Sequence, residues 1–271
     1  MFDSHLHSAN SPDSKTTVEE LCLTALERGM SGIALTDHMD MGGRSNSVWY
    51  RHLQGSVADA TRASRDRIGE LRVLRGVELG SFPDDPEGAR LLLSMCDLDV
   101  VLGSVHWVRK GFAPTHLYRA DYAALGEERC YELLGAYLSL VYETAVHAPV
   151  DVIAHLSYPL RYMNGRYGVG VDILRFEDRL SELFSVMIER GIALEVNTAS
   201  LDSLIFDFVP DRDVLSLYRS LGGRLLTIGS DAHIAASVGK GFVEAKTMLR
   251  SLGFSEYHYY VSHQPIAVSL G

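Results

Sequence analysis

Met1-Phe-Asp-Ser-His5-Leu-His7-Ser8 opens the chain as a short strand pattern that closes on two histidines two residues apart. Strand side chains alternate between faces, so His5 and His7 can present both imidazoles to one point. Imidazole is the commonest metal-ligating side chain and suits zinc, iron and related ions. Alone, a His-x-His at an N-terminus is more often two ordinary polar residues. Here the rest of the chain keeps delivering His, Asp and Glu at the ends of strands, and that recurrence decides the fold.

Beyond the first strand, Thr16–Arg28 reads as a helix, with Thr16 or Thr17 as cap, Glu19 and Glu20 in its first turn and Gly29 as its stop. Gly32–His38 is a buried strand ending in Asp37-His38, followed by a polar helix over Tyr50–Leu71. Arg72–Leu79 is the third strand and carries Glu78; a short helix covers Pro86–Met95; Val100–His106 is the fourth strand. Asp121–His147 gives a long helix, Val150–His155 a fifth strand and Arg175–Arg190 a helix stopped by Gly191. Ala193–Thr198 is the sixth strand, Asp211–Leu221 a helix, Arg224–His233 the seventh strand and Val238–Leu252 the last helix, with a tail strand near Tyr259–Val268. The connections Trp107–Arg119 and Leu156–Asp172 are long, as loops that carry substrate contacts often are.

Seven strand–helix alternations imply a parallel sheet flanked by helices. An open doubly wound sheet competes with a closed barrel. The barrel is preferred because it brings the C-terminal ends of all strands to one rim. His5/His7, His38, Glu78, His106, His155 and Asp231/His233 sit at or beside the ends of strands one, two, three, four, five and seven. In an open sheet the two edge strands could not easily share a site. Of 11 histidines, six lie at strand ends; His52 and His147 read as surface or packing residues, while His116 and His263 are candidates to line the cleft.

The 271 residues, 46% hydrophobic and 22% charged, are enough for one α/β barrel, expected as a single domain over 1–271. No apolar run approaches the about 20 residues that span a bilayer, and no basic-then-apolar leader precedes the first strand. Cys22, Cys96 and Cys130 are scattered, so neither a disulfide framework nor a thiolate zinc site is expected, and a reducing cytoplasm fits. A net charge of −10 argues against a nucleic-acid partner.

Taken together, His5-Leu-His7, Asp13, Thr36-Asp37-His38, Gly76-Val-Glu78, Gly103-Ser-Val-His106, Ala154-His155 and Gly229-Ser-Asp231-Ala-His233 resemble the motif set of the PHP (polymerase and histidinol phosphatase) superfamily, over nearly the whole chain. Ser8–Asp13, Glu195-Val-Asn197-Thr198, Leu221-Gly-Gly, Thr227–His233 and Leu252-Gly-Phe254 are closest to its histidinol-phosphatase branch. The resemblance implies a distorted (β/α)7 barrel with three divalent transition-metal ions at the C-terminal rim: zinc, iron or manganese. One ion would take His5, His7, Glu78 and Asp231; a second Glu78, His106 and His155; a third Asp13, His38 and His233. The implied partner is a small phosphorylated substrate, hydrolysed by metal-activated water, with L-histidinol phosphate of histidine biosynthesis as the named candidate. Asp231 and His233 could also help protonate the leaving oxygen. Arg161 matches the family's phosphate-binding arginine.

Two departures bear on substrate. The branch often carries Asn-Thr-Ser-Gly-Leu-Arg where this chain has Asn197-Thr-Ala-Ser-Leu-Asp202, so an arginine is missing. The run His155-Leu-Ser-Tyr-Pro-Leu-Arg161 also replaces the usual His-Pro-Asp. Arg109, Lys110 or Arg166 could replace the lost charge. The alternatives are a phosphoesterase for a nucleotide or short oligonucleotide, and a metal-binding module without catalysis.

Overall fold

The structure, a computed structural model, describes residues 1–109, 111–201 and 207–271. Seven parallel strands follow one another in space in chain order: β1 (Phe2–Leu6), β2 (Gly32–Leu35), β3 (Arg72–Gly80), β4 (Val100–Ser104), β5 (Val152–Ile153), β6 (Ala193–Asn197) and β7 (Leu226–Gly229). Their residues are almost all buried, as expected of parallel strands covered on both faces. The first and last strands close the ring just beyond β7, where Asp231 N–H donates to His5 O at 2.9 Å and His7 N–H to Ala232 O at 2.9 Å. The result is a nearly closed (β/α)7 barrel. Its distortion is visible in the two-residue β5 and in a register shift within β1, between Asp3 and Leu6.

Local chemistry sets the helices. Helix α1 (Val18–Glu27) starts at Thr17, whose side chain accepts from Glu20 N–H while Glu20 Oε2 accepts from Thr17 N–H at 2.7 Å, a capping box. Helix α2 (Asn46–Asp66) begins four residues before the expected Tyr50. Helix α3 (Pro86–Ser94) is capped by Asp85 and has proline at its first position. The expected long helix, α4 (Tyr122–His147), is broken at Gly126, whose φ of 73° only glycine adopts cheaply. The connection read as an irregular loop after strand five contains a short helix, α5 (Leu160–Met163), which carries Arg161. Helices α6 (Glu177–Arg190), α7 (Arg212–Ser220) and α8 (Phe242–Ser251) complete the outer layer.

The tail is a hairpin rather than one strand: β8 (Glu256–Val261) and β9 (Gln264–Ser269) turn on Ser262 and His263, both at positive φ as a two-residue hairpin turn requires. It covers the N-terminal end of the barrel. Tyr257 Oη accepts from Phe2 N–H, Tyr259 stacks on Phe2, and His263 Nδ1 pairs with Asp151 Oδ2 at 2.9 Å, just before β5. This corrects the placement of His263, which lies at the end opposite the strand C-termini. Cys22 and Cys130 are buried and Cys96 partly so, all as free thiols. Among the described residues no helix is long and apolar enough to cross a membrane.

Candidate metal centre

Barrel closure carries β1, with His5 and His7, against the loop after β7, with Asp231 and His233. The strand after β2 continues as a short segment, His38–Asp40, paired in parallel with β3 so that His38 lies opposite Glu78 and Asp40 opposite Gly80. His106 follows β4 and His155 follows β5. Only a residue without Cβ fits at Gly80, because a Cβ there would collide with Asp40 Oδ1, which holds His106 Nδ1 at 2.8 Å.

Glu78 is the centre of the arrangement and is fully buried. Its Oε1 lies 2.8 Å from His155 Nε2 and 3.2 Å from His106 Nε2. Its Oε2 lies 2.7 Å from His38 Nδ1 and 3.6 Å from Nε2 of both His5 and His7. Asp231 Oδ1 stands 3.3 Å from His7 Nε2 and 3.7 Å from His5 Nε2. Farther out, Asp13 Oδ2 sits 3.3 Å from both His38 Nε2 and His233 Nε2. All nine residues expected as ligands therefore meet at one rim, in overlapping groups whose ligand atoms lie within 4.8 Å of one another, such as His5/His7/Asp231, His5/Glu78/His155 and His38/Glu78/His106. Asp13 joins through His38 and His233. His38 differs from the expected partition, since Nδ1 faces Glu78 while Nε2 faces Asp13.

The outward imidazole edges tell whether this set fits a metal. His5 Nδ1 donates to Glu195 Oε1 at 2.7 Å, His106 Nδ1 to Asp40, and His233 Nδ1 to the Asp231 carbonyl at 3.0 Å. Ser11 Oγ gives its hydrogen to Asp37 Oδ1 and so accepts from His7 Nδ1 at 3.1 Å. Each of these rings in its neutral form keeps an Nε2 lone pair aimed inward, the orientation that outer carboxylates and carbonyls impose on metal-bound histidines. His5 Nε2 and His7 Nε2 are 3.0 Å apart, and two facing lone pairs repel unless a proton or cation lies between them. His38 Nδ1 and Glu78 Oε2, though close, are buried without hydrogen-bond geometry to any partner. Inward lone pairs, orphaned buried atoms and a nitrogen–carboxylate donor set fit borderline divalent ions such as zinc.

The protein's own charges agree. Burial alone would raise Glu78, but His106 and His38 hold it well below the usual carboxylate range. Asp231 is likewise lowered, against burial, by His5 and His7. Burial opposes charge on His106, yet Glu78 and Asp40 raise it to about 10; burial, with His233 and His38 nearby, lowers His7 well below its ordinary value. Ionised carboxylates among imidazoles that compete for protons can exchange those protons for cations.

Two buried acids missing from the expected ligand set fix the loops. Asp37 accepts from Ser8 N–H at 2.6 Å and from the hydroxyls of Ser8, Ser11 and Ser56, anchoring the turn that bears Asp13. Asp3, pushed up to about 6 by burial, accepts from Ser230 and Gly239 N–H beside Asp231. The sequence marks both only as polar residues inside apolar strand patterns, without showing which loop they hold.

The rim opens into a cleft of about 960 Å³ lined also by Arg161, Trp107, His116, Tyr118, Tyr158 and Tyr162. Arg161 is half pinned, with Nε donating to Ser200 Oγ at 2.6 Å and Nη2 to Asn197 Oδ1 at 3.0 Å. His116 lines the cleft, as expected. Arg109 instead pairs with Asp84 and stacks on Trp107, and exposed Arg166 lies over Tyr118; neither borders the cleft. His52 bonds to the Asn10 carbonyl and His147 is on the surface. Lys110 and Asp202 lie outside the described residues.

Residues 3–199 match the PHP domain family. The chain is 28% identical over 253 residues to the probable histidinol-phosphatase of Clostridium acetobutylicum, covering 92% of each protein. It is 25% identical over 260 residues to the histidinol-phosphatase of Lactococcus lactis subsp. lactis, covering 94% of this chain and 92% of that one. Among solved structures, histidinol phosphate phosphatase from the same Lactococcus lactis, complexed with zinc, L-histidinol and phosphate, shares the fold with a TM-score of 0.76 at 21% identity, covering 98% of both chains.

Proposed function

The chain belongs to the PHP domain family, and from that premise we propose that it is a metal-dependent phosphatase that hydrolyses L-histidinol phosphate to L-histidinol and phosphate. The observation that carries the reading is Glu78, whose two oxygens face two different histidine groups while three further acids and imidazoles extend the cluster to the mouth of the cleft. We assign one divalent ion to His5, His7, Glu78 and Asp231, a second to Glu78, His106 and His155, and a third to Asp13, His38 and His233, with zinc, iron or manganese as the metals. Such ions, when bound, activate water and neutralise phosphate charge.

The chain's own residues supply the rest. Arg161 binds phosphate. The aromatic wall of Trp107, Tyr118 and Tyr162 receives the organic half. His233, 30% exposed at its side chain, is the most open imidazole of the cluster, and with Asp231 beside it would orient a water that gives the leaving oxygen its proton. The protein works as one domain in the cytoplasm on a small molecule, without nucleic acid. The relatives named histidinol-phosphatase, each matched over nine-tenths of this chain, support the substrate.

The test is phosphate release from L-histidinol phosphate by chelator-stripped protein reloaded with zinc, iron or manganese. Release that depends on reloading supports the proposal. The second reading, another monoester such as a nucleotide, is favoured by Asp202 standing where the branch carries arginine. Release from nucleotides but not from histidinol phosphate would select it, and release from no monoester would overturn both.

A further inference from the structure

We propose that Ser200 is a positioning residue that holds Arg161 in one orientation for phosphate. The inference rests on the reading of the cleft as a phosphate-monoester site. It starts from the departure noted above, in which a serine stands where the branch carries glycine, two residues before the altered Asp202.

Ser200 is fully buried, and its Oγ accepts from Arg161 Nε at 2.6 Å. Asn197 Oδ1 takes Nη2 of the same guanidinium at 3.0 Å. These two bonds fill the Nε/Nη2 edge of the fork. The remaining nitrogen, Nη1, lies 3.7 Å from Asp231 Oδ2, on the side of the histidine cluster. The arginine is only 11% exposed at its side chain and lies over the Tyr158 ring at 5.3 Å. A hydrogen at position 200 in place of the hydroxymethyl would leave Nε without this acceptor.

The choice of anchor matters electrically. A carboxylate in place of Ser200 would hold the guanidinium as firmly but cancel its charge. A hydroxyl and an amide oxygen fix its direction without adding a second carboxylate to Asp231, whose Oδ2 lies 3.7 Å from Nη1. Arginine side chains carry much rotamer entropy, and a fork fixed before binding does not lose it on binding. With the second arginine of the branch absent, Arg161, beside Asp231 at the rim, shares phosphate recognition with the other cations that line the cleft, Arg44, Arg119 and Lys240.

The experiment compares wild type with Ser200→Ala, Ser200→Thr, Arg161→Ala and the Ser200→Ala/Arg161→Ala double variant, all metal-reloaded and checked for metal content. Read-outs are KM and kcat for L-histidinol phosphate and the affinity for inorganic phosphate by calorimetry. Ser200→Ala should raise KM and weaken phosphate binding about 5- to 30-fold, the ratio set by ~1–2 kcal/mol, with kcat little changed. Ser200→Thr should restore both, and in the Arg161→Ala background Ser200→Ala should add nothing. An unchanged Ser200→Ala, or an effect that persists in full without Arg161, overturns the proposal. If wild type hydrolyses no monoester, the proposed function fails, yet calorimetry with inorganic phosphate still decides whether Ser200 acts through Arg161.

Discussion

Replacing Glu78 by glutamine is the sharpest test of the centre. The side chain keeps its shape, but one carboxylate oxygen becomes an amide nitrogen and the charge disappears. The oxygens now stand 2.8 and 3.2 Å from His155 and His106 on one side and 2.7 Å from His38 on the other, with no exposure to water. Removing one partner from a buried charged group costs ~3–5 kcal/mol, which at 1.36 kcal/mol per decade is roughly 10²–10⁴-fold. Asp13→Asn provides the contrast. Asp13 is 54% exposed at its side chain, so water screens its pairs with His38 and His233, and the loss should stay near ~1 kcal/mol, or under about tenfold. The assay is kcat/KM for phosphate release, with elemental analysis of metal per chain and circular dichroism to confirm folding. Glu78→Gln should lose both activity and metal. If it kept full metal and stayed within tenfold of Asp13→Asn, Glu78 would not be the shared ligand.

The other expectations are simpler to measure. Elemental analysis should find two or three transition-metal ions per chain, and His5→Ala with His7→Ala should lose at least one; a folded wild type without metal affinity would contradict this. Thr17→Ala breaks the capping box of α1 and should cost about 1 kcal/mol, seen as a melting temperature lower by about 2–4 °C, and an unchanged melt would remove the cap from the stability account. Asp99 is raised by burial, but Arg75, on Nε at 3.0 Å, outweighs this and lowers its pKa. A depressed acid contributes stability that is complete above the unfolded value of about 3.9 and is lost as pH falls through the folded value. Asp99→Asn should therefore lower the urea midpoint at pH 7, with the gap to wild type closing in acid; a gap constant with pH would refute the ion pair's role.

The ligand set was readable because metal coordination fixes residue type, and strand ends fix place. Each of His5, His38, Glu78, His106, His155 and Asp231 interrupts an apolar run where a barrel strand reaches its rim, and a barrel gathers those strand ends in one place. What supports those ligands was less readable. Asp3 and Asp37 look like any polar residue in a strand until the structure shows which loop amides they hold. Helix α3 starts at the expected Pro86, capped by Asp85, while α2 begins at Asn46 rather than Tyr50 and Gly126 splits α4 internally. His263 was misread as a cleft candidate because the tail's alternation does not reveal that it turns back on itself at Ser262 and His263 under the barrel. Arg161 was found by resemblance. Its anchoring by Ser200 depends on a contact between residues 39 apart, which no spacing rule predicts.

Backbone strain gives an independent argument for the rim. His155 and Asp231 adopt φ of 31° and 52°, values that cost an L-residue about 1–3 kcal/mol and that glycine would adopt freely. Glycine has no ligand atom, so retaining histidine and aspartate there makes sense only if their side chains are needed at those points. The strained conformations are held by the surrounding backbone and by one buried acid. Glu195 Oε2 accepts from His155 N–H at 2.8 Å, and its Oε1 accepts from His5 Nδ1 at 2.7 Å. Asp231 N–H is tied to His5 O. A single carboxylate thus fixes one histidine facing each oxygen of Glu78, because His155 meets Oε1 and His5 lies nearer Oε2. Burial of Glu195 is offset by the His155 N–H, by Asn197 Nδ2 at 3.3 Å and by His5, whose pKa is lowered by burial but raised well above its ordinary value by Glu195 and Asp231. Glu195 on the Nδ1 edge keeps the His5 Nε2 lone pair turned toward His7 Nε2, where a proton or a bound cation can sit.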